Sequence, residues 1–261
     1  MNDCFKDHVV LVTGGSSGIG LKIAQKFIEK GASVIAVGRS EEKLQMESKG
    51  SGGHYIPRVC DVTNEQQIIE TSQFVKESYG KLDVLVNNAG NLKFVVPEDV
   101  DDDSFNFHYN VMVKGAMLFV KHFVPMLRKS SNPSIVNISS IAARVIYPNH
   151  ALYSSAKAAL EKYTQHIVRD LWDIRANVIL PGIIDTPIWE SGILPQEEGK
   201  TLAETIEDTL GVFKKAIPAG RVGLPEDVAN CVLFLCSEEA TFINGASIVV
   251  DGGMLCSGCG F

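Results

Sequence analysis

The chain has 261 residues, 45% of them hydrophobic, with a formal net charge of −7 and a pI near 5.4. That length and apolar content suit one large α/β domain, and the acidic balance gives no electrostatic footprint for nucleic acid or an anionic membrane surface. Met1 to Asp7 is polar with no apolar stretch behind it and no apolar run reaches spanning length, so neither nucleic acid nor membrane is expected as a partner and the expected location is the cytoplasm.

The first predicted element is the apolar strand Val9 to Val12, which breaks into Thr13-Gly14-Gly15-Ser16-Ser17-Gly18-Ile19-Gly20. Ile19, Ile23, Ala24, Phe27 and Ile28 then repeat with helical spacing, and Gly31 closes the segment. Strand, glycine turn and helix together make an anion site, because the first N–H groups of a helix have no intrahelical partner and the dipole is positive there. A diphosphate fits such a corner, with Gly14, Ser16, Ser17, Gly18, Ile19 and Gly20 as its candidate contacts. The G-x-x-x-G-x-G spacing differs from the usual G-x-G-x-x-G fingerprint, so a plain buried glycine turn is the competing reading.

Ser33 to Val37 reads as a second buried strand ending in Gly38-Arg39-Ser40. In dinucleotide folds an acidic residue about twenty positions past the glycines holds the adenosine ribose, and an arginine nearby accommodates a 2′-phosphate. There is no carboxylate at this point, and Arg39 offers a planar fork of donors, so NADP(H) is preferred, with NAD(H) and a merely solvated Arg39 as the alternatives. A charged helix over Glu41 to Lys49 follows, then a strand over His54 to Cys60 in which Pro57 argues for a sheet edge. Asp61-Val62 ends that strand where an adenine would lie; a turn or cap role for Asp61 weighs nearly as much.

Gln66 to Tyr79 is an amphipathic helix, and the strand Leu82 to Val86 leads into Asn87-Asn88-Ala89-Gly90. Small residues beside asparagine amides at a strand end let a ligand lie close to the backbone. The acidic run Asp99 to Asp103 is expected to be a solvated loop, with Asp103 or Ser104 starting a helix, and no metal site is expected. A long apolar helix over Val111 to Leu127 precedes the strand Ile135 to Ile138 and then Ser139-Ser140.

Tyr153-Ser154-Ser155-Ala156-Lys157 places a phenol and an amine four residues apart, on one face of a helix. An adjacent cation would lower the phenol's pKa toward neutrality and fit Tyr153 for acid–base work, while Ser140 would hydrogen-bond a carbonyl oxygen gaining charge. An isolated Tyr-x-x-x-Lys would more simply be a surface pair. Arg175 to Leu180 is a sixth strand, followed by Pro181-Gly182-Ile183-Ile184-Asp185-Thr186-Pro187. Residues 189–212 read as a lid for substrate selection, Pro225 opens another helix, and Ser247 to Val250 is a closing strand. Cys256 and Cys259 form a lone terminal C-x-x-C in glycine-rich sequence, read as free thiols.

In this order, Thr13-Gly14-x-x-x-Gly18-x-Gly20, Asp61-Val62, Asn87-Asn88-Ala89-Gly90, Ser140, Tyr153-x-x-x-Lys157 and Pro181-Gly182 resemble the short-chain dehydrogenase/reductase family from about Lys6 to Gly253. The resemblance implies a doubly wound, mostly parallel seven-stranded sheet with helices on both faces. It further implies a bound nicotinamide nucleotide, Tyr153 as general acid/base, Ser140 orienting the carbonyl, and Lys157 lowering the Tyr153 pKa while holding the nicotinamide ribose. Asn88, Ala89 and Gly90 would line the ribose, and the Ile184 amide and Thr186 hydroxyl would hold the carboxamide beside Pro181 and Gly182. Members are commonly tetramers, so a homo-oligomer, tetramer or dimer, is expected.

One position departs from the pattern. Many members carry an asparagine three residues before the glycine of the long helix, where it holds a water next to the lysine; counting back from Gly115 puts Met112 there. Asn110 lies about 200° away around an α-helix, and a thioether anchors water poorly. The expected function is hydride transfer between NADP(H) and a small carbonyl or secondary-alcohol substrate. The alternatives are a nucleotide-binding scaffold with weak activity and a 3-oxoacyl-thioester reductase.

Overall fold

Seven strands form one sheet whose six pairings are all parallel, in a computed structural model that describes residues 4–190 and 199–257. They are β1 (Val9–Thr13), β2 (Ser33–Gly38), β3 (Tyr55–Val59), β4 (Val84–Asn87), β5 (Ser134–Ile138), β6 (Arg175–Pro181) and β7 (Ser247–Val250), in spatial order β3-β2-β1-β4-β5-β6-β7. The expectation of a mostly parallel sheet is thus met by an entirely parallel one. Pro57 lies on β3 at the sheet's edge, where its missing N–H leaves no ladder bond unmade inside the sheet.

Helices α1 (Gly18–Glu29), α2 (Glu41–Ser48), α3 (Glu65–Ser78), α4 (Asp102–Tyr109), α5 (Gly115–Leu127), α6 (Ala151–Asp170), α7 (Leu202–Ala216) and α8 (Pro225–Cys236) complete the layers. Parallel strands buried on both faces read as continuous apolar runs, and β1 shows how the run is divided. Val10 and Val12 pack with Ile23 and Phe27 of α1 and Val228 and Val232 of α8, whereas Val9 and Leu11 pack with Ile68 of α3 and Phe119 and Phe123 of α5. The strand order reverses between β1 and β4, and a crevice opens beyond the carboxyl ends of the strands at such a switch point.

Two local expectations change. In the acidic run the N-cap is Asp101, not Asp103 or Ser104; Asp101 Oδ1 accepts from the Ser104 N–H at 2.8 Å, and Ser104 returns the bond as the third residue of a capping box. The helix expected over Val111 to Leu127 is interrupted at its start by a π-helical turn over Asn110–Lys114, in which the Gly115 N–H reaches the Asn110 carbonyl. The Asn110 side chain bonds Asn106 Oδ1 on the outer side and Met112 is buried, so Met112 faces inward as its register implies.

Asp83, 2% exposed, ties the start of β4 to the start of β1. Its Oδ2 accepts from the Val9 N–H and Lys81 Nζ, each at 2.8 Å, and its Oδ1 accepts from Ser130 Oγ at 2.6 Å. Burial alone would raise its pKa, but the bonds from Lys81, Ser130 and Val9 outweigh burial and hold it below the ordinary value. Asp83→Ala is expected to cost about 2–4 kcal/mol in urea denaturation at pH 7, because the Val9 N–H and Ser130 hydroxyl lose their buried acceptor. Since the folded pKa is depressed, the carboxylate's contribution is present at neutral pH and is lost as pH falls through that folded value.

Candidate active site

The glycine corner is built by close backbone approach. Gly14 has φ +66°, and a Cβ on it would stand 2.9 Å from Asn88 Nδ2; a Cβ on Gly20 would overlap the Gly14 carbonyl oxygen and the same amide nitrogen. Asn88 Nδ2 donates to the carbonyls of Thr13 and Gly14 at 3.0 and 3.4 Å, which staples the turn after β4 onto the turn after β1. Thr13 completes the joint: its hydroxyl accepts from the Asn88 and Ala89 N–H groups, both at 3.0 Å, and donates to the Val86 carbonyl at 3.4 Å. This hub was not assigned a role from sequence. Its signal is a hydroxyl ending an otherwise wholly apolar strand.

A cleft of about 870 Å³ runs across the carboxyl ends of β1, β4, β5 and β6, within the range of small-molecule sites. Its wall includes Gly14, Ser17, Gly18, Ile19, Arg39, Asn88, Ala89, Gly90, Ser140, Tyr153, Lys157, Pro181, Gly182, Ile184 and Thr186 from the sequence-derived set. Ser16, Gly20, Asp61 and Val62 are not on that wall. Ser16 Oγ instead lies against Gly38, 3.1 Å from where a Cβ would stand, and Gly20 serves the corner's packing. Asp61 makes a turn bond: its Oδ1 accepts from the N–H and hydroxyl of Thr63, both at 2.8 Å. Val62 packs behind the cleft, where its carbonyl would be 3.0 Å from a Cβ on Gly115.

Ser140, Tyr153 and Lys157 come together on the wall although they arise from the end of β5 and from α6. Ser140 caps the short turn Ile141–Ala143, accepting from the Ala142 N–H at 3.1 Å, and its hydroxyl is also hydrogen-bonded to the Tyr153 phenol. Lys157 is braced from two sides. Ser139 Oγ donates to its carbonyl at 2.8 Å, and Lys157 Nζ donates to the Ile138 carbonyl at 2.8 Å. Beneath them, Asn87 Nδ2 donates to Asn137 Oδ1 across the β4–β5 register, and Asn137 Nδ2 donates to Thr164 Oγ1 on α6, each at 2.8 Å. Buried amides with satisfied donors fix α6 against the sheet, and so fix the spacing of Ser140 and Tyr153.

The expected lowering of the phenol by Lys157 is not what this geometry produces. Burial pushes the Tyr153 pKa up, with only the Ser140 hydrogen bond opposing it. The ammonium stands 5.7 Å from the phenol ring centroid and is turned toward the Ile138 carbonyl, while its own burial pulls it down to about 8. Met112, 1% exposed, fills the space beside Gly90 and Tyr153, with its sulfur 3.9 Å from where a Gly90 Cβ would be.

Arg39 is joined on the cleft wall by Lys43 from the first turn of α2, a residue not singled out from sequence. Arg39, Lys43, Lys93 and Lys157 are its cations, and among the described residues no aspartate or glutamate lines it. Of the expected lid, residues 191–198 lie outside the described residues. Trp189 is buried with Nε1 donating to the Ile184 carbonyl at 2.9 Å, and Thr209 and Phe213 of α7 reach the cleft. Cys4, Cys60, Cys231, Cys236 and Cys256 are free thiols, and Cys259 lies outside the described residues. No helix among the described residues is long and apolar enough to cross a membrane, and none of their His, Cys, Asp and Glu side chains group to hold a metal.

A family model described as enoyl-(acyl carrier protein) reductase matches residues 14–255. The chain belongs to the short-chain dehydrogenase/reductase family. It is 35% identical over 252 residues to the 3-oxoacyl-[acyl-carrier-protein] reductase FabG of Thermotoga maritima, covering 95% of this chain and 97% of that one. It is 32% identical over 255 residues to a cyclopentanol dehydrogenase of Comamonas testosteroni, covering 95% and 96%. The ligand-free aldohexose dehydrogenase of Thermoplasma acidophilum superposes with a TM-score of 0.86 at 33% identity, covering 98% of this chain and 97% of that structure. Membership makes the protein an oxidoreductase acting on alcohol or carbonyl groups with a nicotinamide dinucleotide, NAD or NADP.

Proposed function

We propose that the protein interconverts a ketone or aldehyde and its alcohol with NADP(H), using Tyr153 as the proton donor and acceptor and Ser140 as the group that orients the substrate oxygen. The observation that carries this reading is the convergence of Ser140, Tyr153 and Lys157 on the same cleft as the glycine corner. The residues present fit a dinucleotide. The corner tolerates no Cβ at Gly20, Thr186 lies 3.4 Å from where a Gly18 Cβ would be, and the buried Ile184 N–H has no acceptor among the described residues. An unpaired amide of that kind, beside the Thr186 hydroxyl, suits a carboxamide.

The nicotinamide supplies or takes up the hydride when it is bound. The chain's own part is to present the Ser140 hydroxyl to the oxygen that gains charge, to exchange the proton at the Tyr153 hydroxyl, and to hold the ribose with the Lys157 ammonium. The test is an absorbance assay of NADPH oxidation with a panel of ketones, aldehydes, quinones and keto-thioesters. Turnover of at least one class supports the reading, and dinucleotide binding without turnover of any supports the scaffold alternative that Met112 motivates.

The preference for NADP(H) rests on Arg39 and Lys43 sharing a cleft wall that, among the described residues, carries no carboxylate side chain. A 2′-phosphate there would receive charge-assisted hydrogen bonds. Arg39→Ala is expected to weaken NADPH binding about 10- to 100-fold and to change NADH binding less than about threefold, read by titration of protein fluorescence. Tighter binding of NADH than of NADPH, unaffected by Arg39→Ala, would assign the site to NAD(H).

A further inference from the structure

We infer that the substrate end of the cleft selects an apolar, ring-sized ketone or secondary alcohol bearing a second hydroxyl, and that His150 accepts that hydroxyl's hydrogen bond. The inference rests on the oxidoreductase reading proposed above and deepens it to a substrate class. Beyond Tyr153 the wall is aromatic: the His150 ring lies 4.6 Å from Phe94 and 5.3 Å from Tyr147, centroid to centroid, and Trp189 and Phe213 stand 6.1 Å apart farther along it. Such rings favour a flat or alicyclic body.

The wall is also held in place. The Val95 N–H donates to the Asn149 carbonyl at 3.0 Å, and the Lys93 N–H donates to Nε2 of the buried His108 at 3.2 Å, so the segment carrying Phe94 is pinned on both sides.

His150 is on that wall, and one bond fixes its ring. Its Nδ1 lies 2.6 Å from the Pro148 carbonyl oxygen, which can only accept, so the ring proton sits on Nδ1 and Nε2 carries a lone pair. No described residue donates to Nε2. Burial holds the His150 pKa below its ordinary value against the raising effect of the Pro148 carbonyl, so the ring is neutral at neutral pH and keeps that acceptor. A ligand that covers this atom pairs it only by bringing a donor. An ammonium group is disfavoured by Lys93 and Lys157 on a lining that has no aspartate or glutamate among the described residues, and a hydroxyl is the smallest neutral donor a ring ketone can carry. The His150 and Tyr153 ring centroids are 6.3 Å apart, a span that one six-membered ring carrying the reacting oxygen and the hydroxyl can bridge. A ketone without the hydroxyl would desolvate Nε2 and leave it unpaired, which is how a polar site rejects an apolar analogue.

The experiment compares 5-, 6- and 7-hydroxy-1-tetralone with their methoxy analogues, which keep the oxygen and remove the donor, and 4-hydroxycyclohexanone with cyclohexanone, all with NADPH. In the wild type the best hydroxyl compound is expected to exceed its partner about tenfold in kcat/KM. His150→Phe brings that ratio to near one, and His150→Gln, which keeps an acceptor oxygen, restores part of it. Parity within every pair in the wild type, or an unchanged ratio in His150→Phe, overturns the inference. The same pairs are titrated calorimetrically into the protein with NADP+. A hydroxyl preference there, with no turnover of these compounds or of the wider panel, leaves the His150 contact standing and removes the proposed Tyr153 reaction, while parity in both measurements removes the contact alone.

Discussion

Tyr153→Phe is expected to lower kcat for carbonyl reduction by about 10²–10⁴-fold while NADPH binding changes less than about threefold. The substitution keeps the ring, its packing with Met112 and Ala156, and the helix that carries it, and removes the hydroxyl that holds the exchangeable proton. The wall has no aspartate or glutamate among the described residues, and the ring proton of His150 is committed to Pro148. Ser140 would still hydrogen-bond the substrate oxygen, so KM should move little and the loss should fall on kcat, as it does when an interaction made chiefly in the transition state is removed. Steady-state kinetics with the best ketone of the panel, alongside dinucleotide titration, make the measurement. Equal rates in wild type and variant would remove Tyr153 from the chemistry.

What could be read from the sequence, and what could not, divides along a physical line. Features set by local spacing were legible: the strand, glycines and helix of the corner, the shared face of Tyr153 and Lys157, and the edge position announced by Pro57. Features set by where a side chain's partner lies in three dimensions were not. Thr13 and Asn137 sit in apolar strands as isolated polar residues, but their partners, Asn88 and Ala89 in one case and Asn87 and Thr164 in the other, lie far away in the chain. The π turn at Asn110–Lys114 was invisible because apolar periodicity reports only that a helix continues, not how its bonds are registered. Asp61 carried two readings from sequence, and the turn bond that its Oδ1 makes with the nearby Thr63 hydroxyl is seen only in the fold. The Tyr153–Lys157 pair shows the same divide at the level of charge. Spacing places a cation near a phenol, but only the fold shows that the cation is turned toward Ile138 and pays for its own burial.

That burial leads to a second large effect, in which activity and stability move in opposite directions. Lys157→Met is expected to lower turnover by at least about 10²-fold and yet to raise the melting temperature at pH 7 by several degrees. The amine, 4% exposed, has its pKa pulled from 10.5 to about 8, so the folded protein holds a cation that the unfolded chain holds more easily, at a cost of about 3 kcal/mol at neutral pH. Methionine fills a similar volume without charge. The Ile138 carbonyl loses its donor, which offsets part of the gain and leaves about 1–2 kcal/mol. The sign against pH distinguishes this cause from better packing. A depressed lysine pKa means the unfolded state binds more protons between about pH 8 and 10.5, so wild-type stability attributable to Lys157 rises across that interval as the penalty is relieved. Urea denaturation of both proteins at pH 7, 8, 9 and 10 should therefore show the variant ahead at pH 7 and its advantage shrinking toward pH 10. A variant that is less stable at pH 7, with a gap to wild type that does not change with pH, would mean that the Lys157 ammonium is not under the burial penalty assigned to it. Its position would then stabilise the fold, rather than being a place where the fold gives up stability to set a charge beside Tyr153.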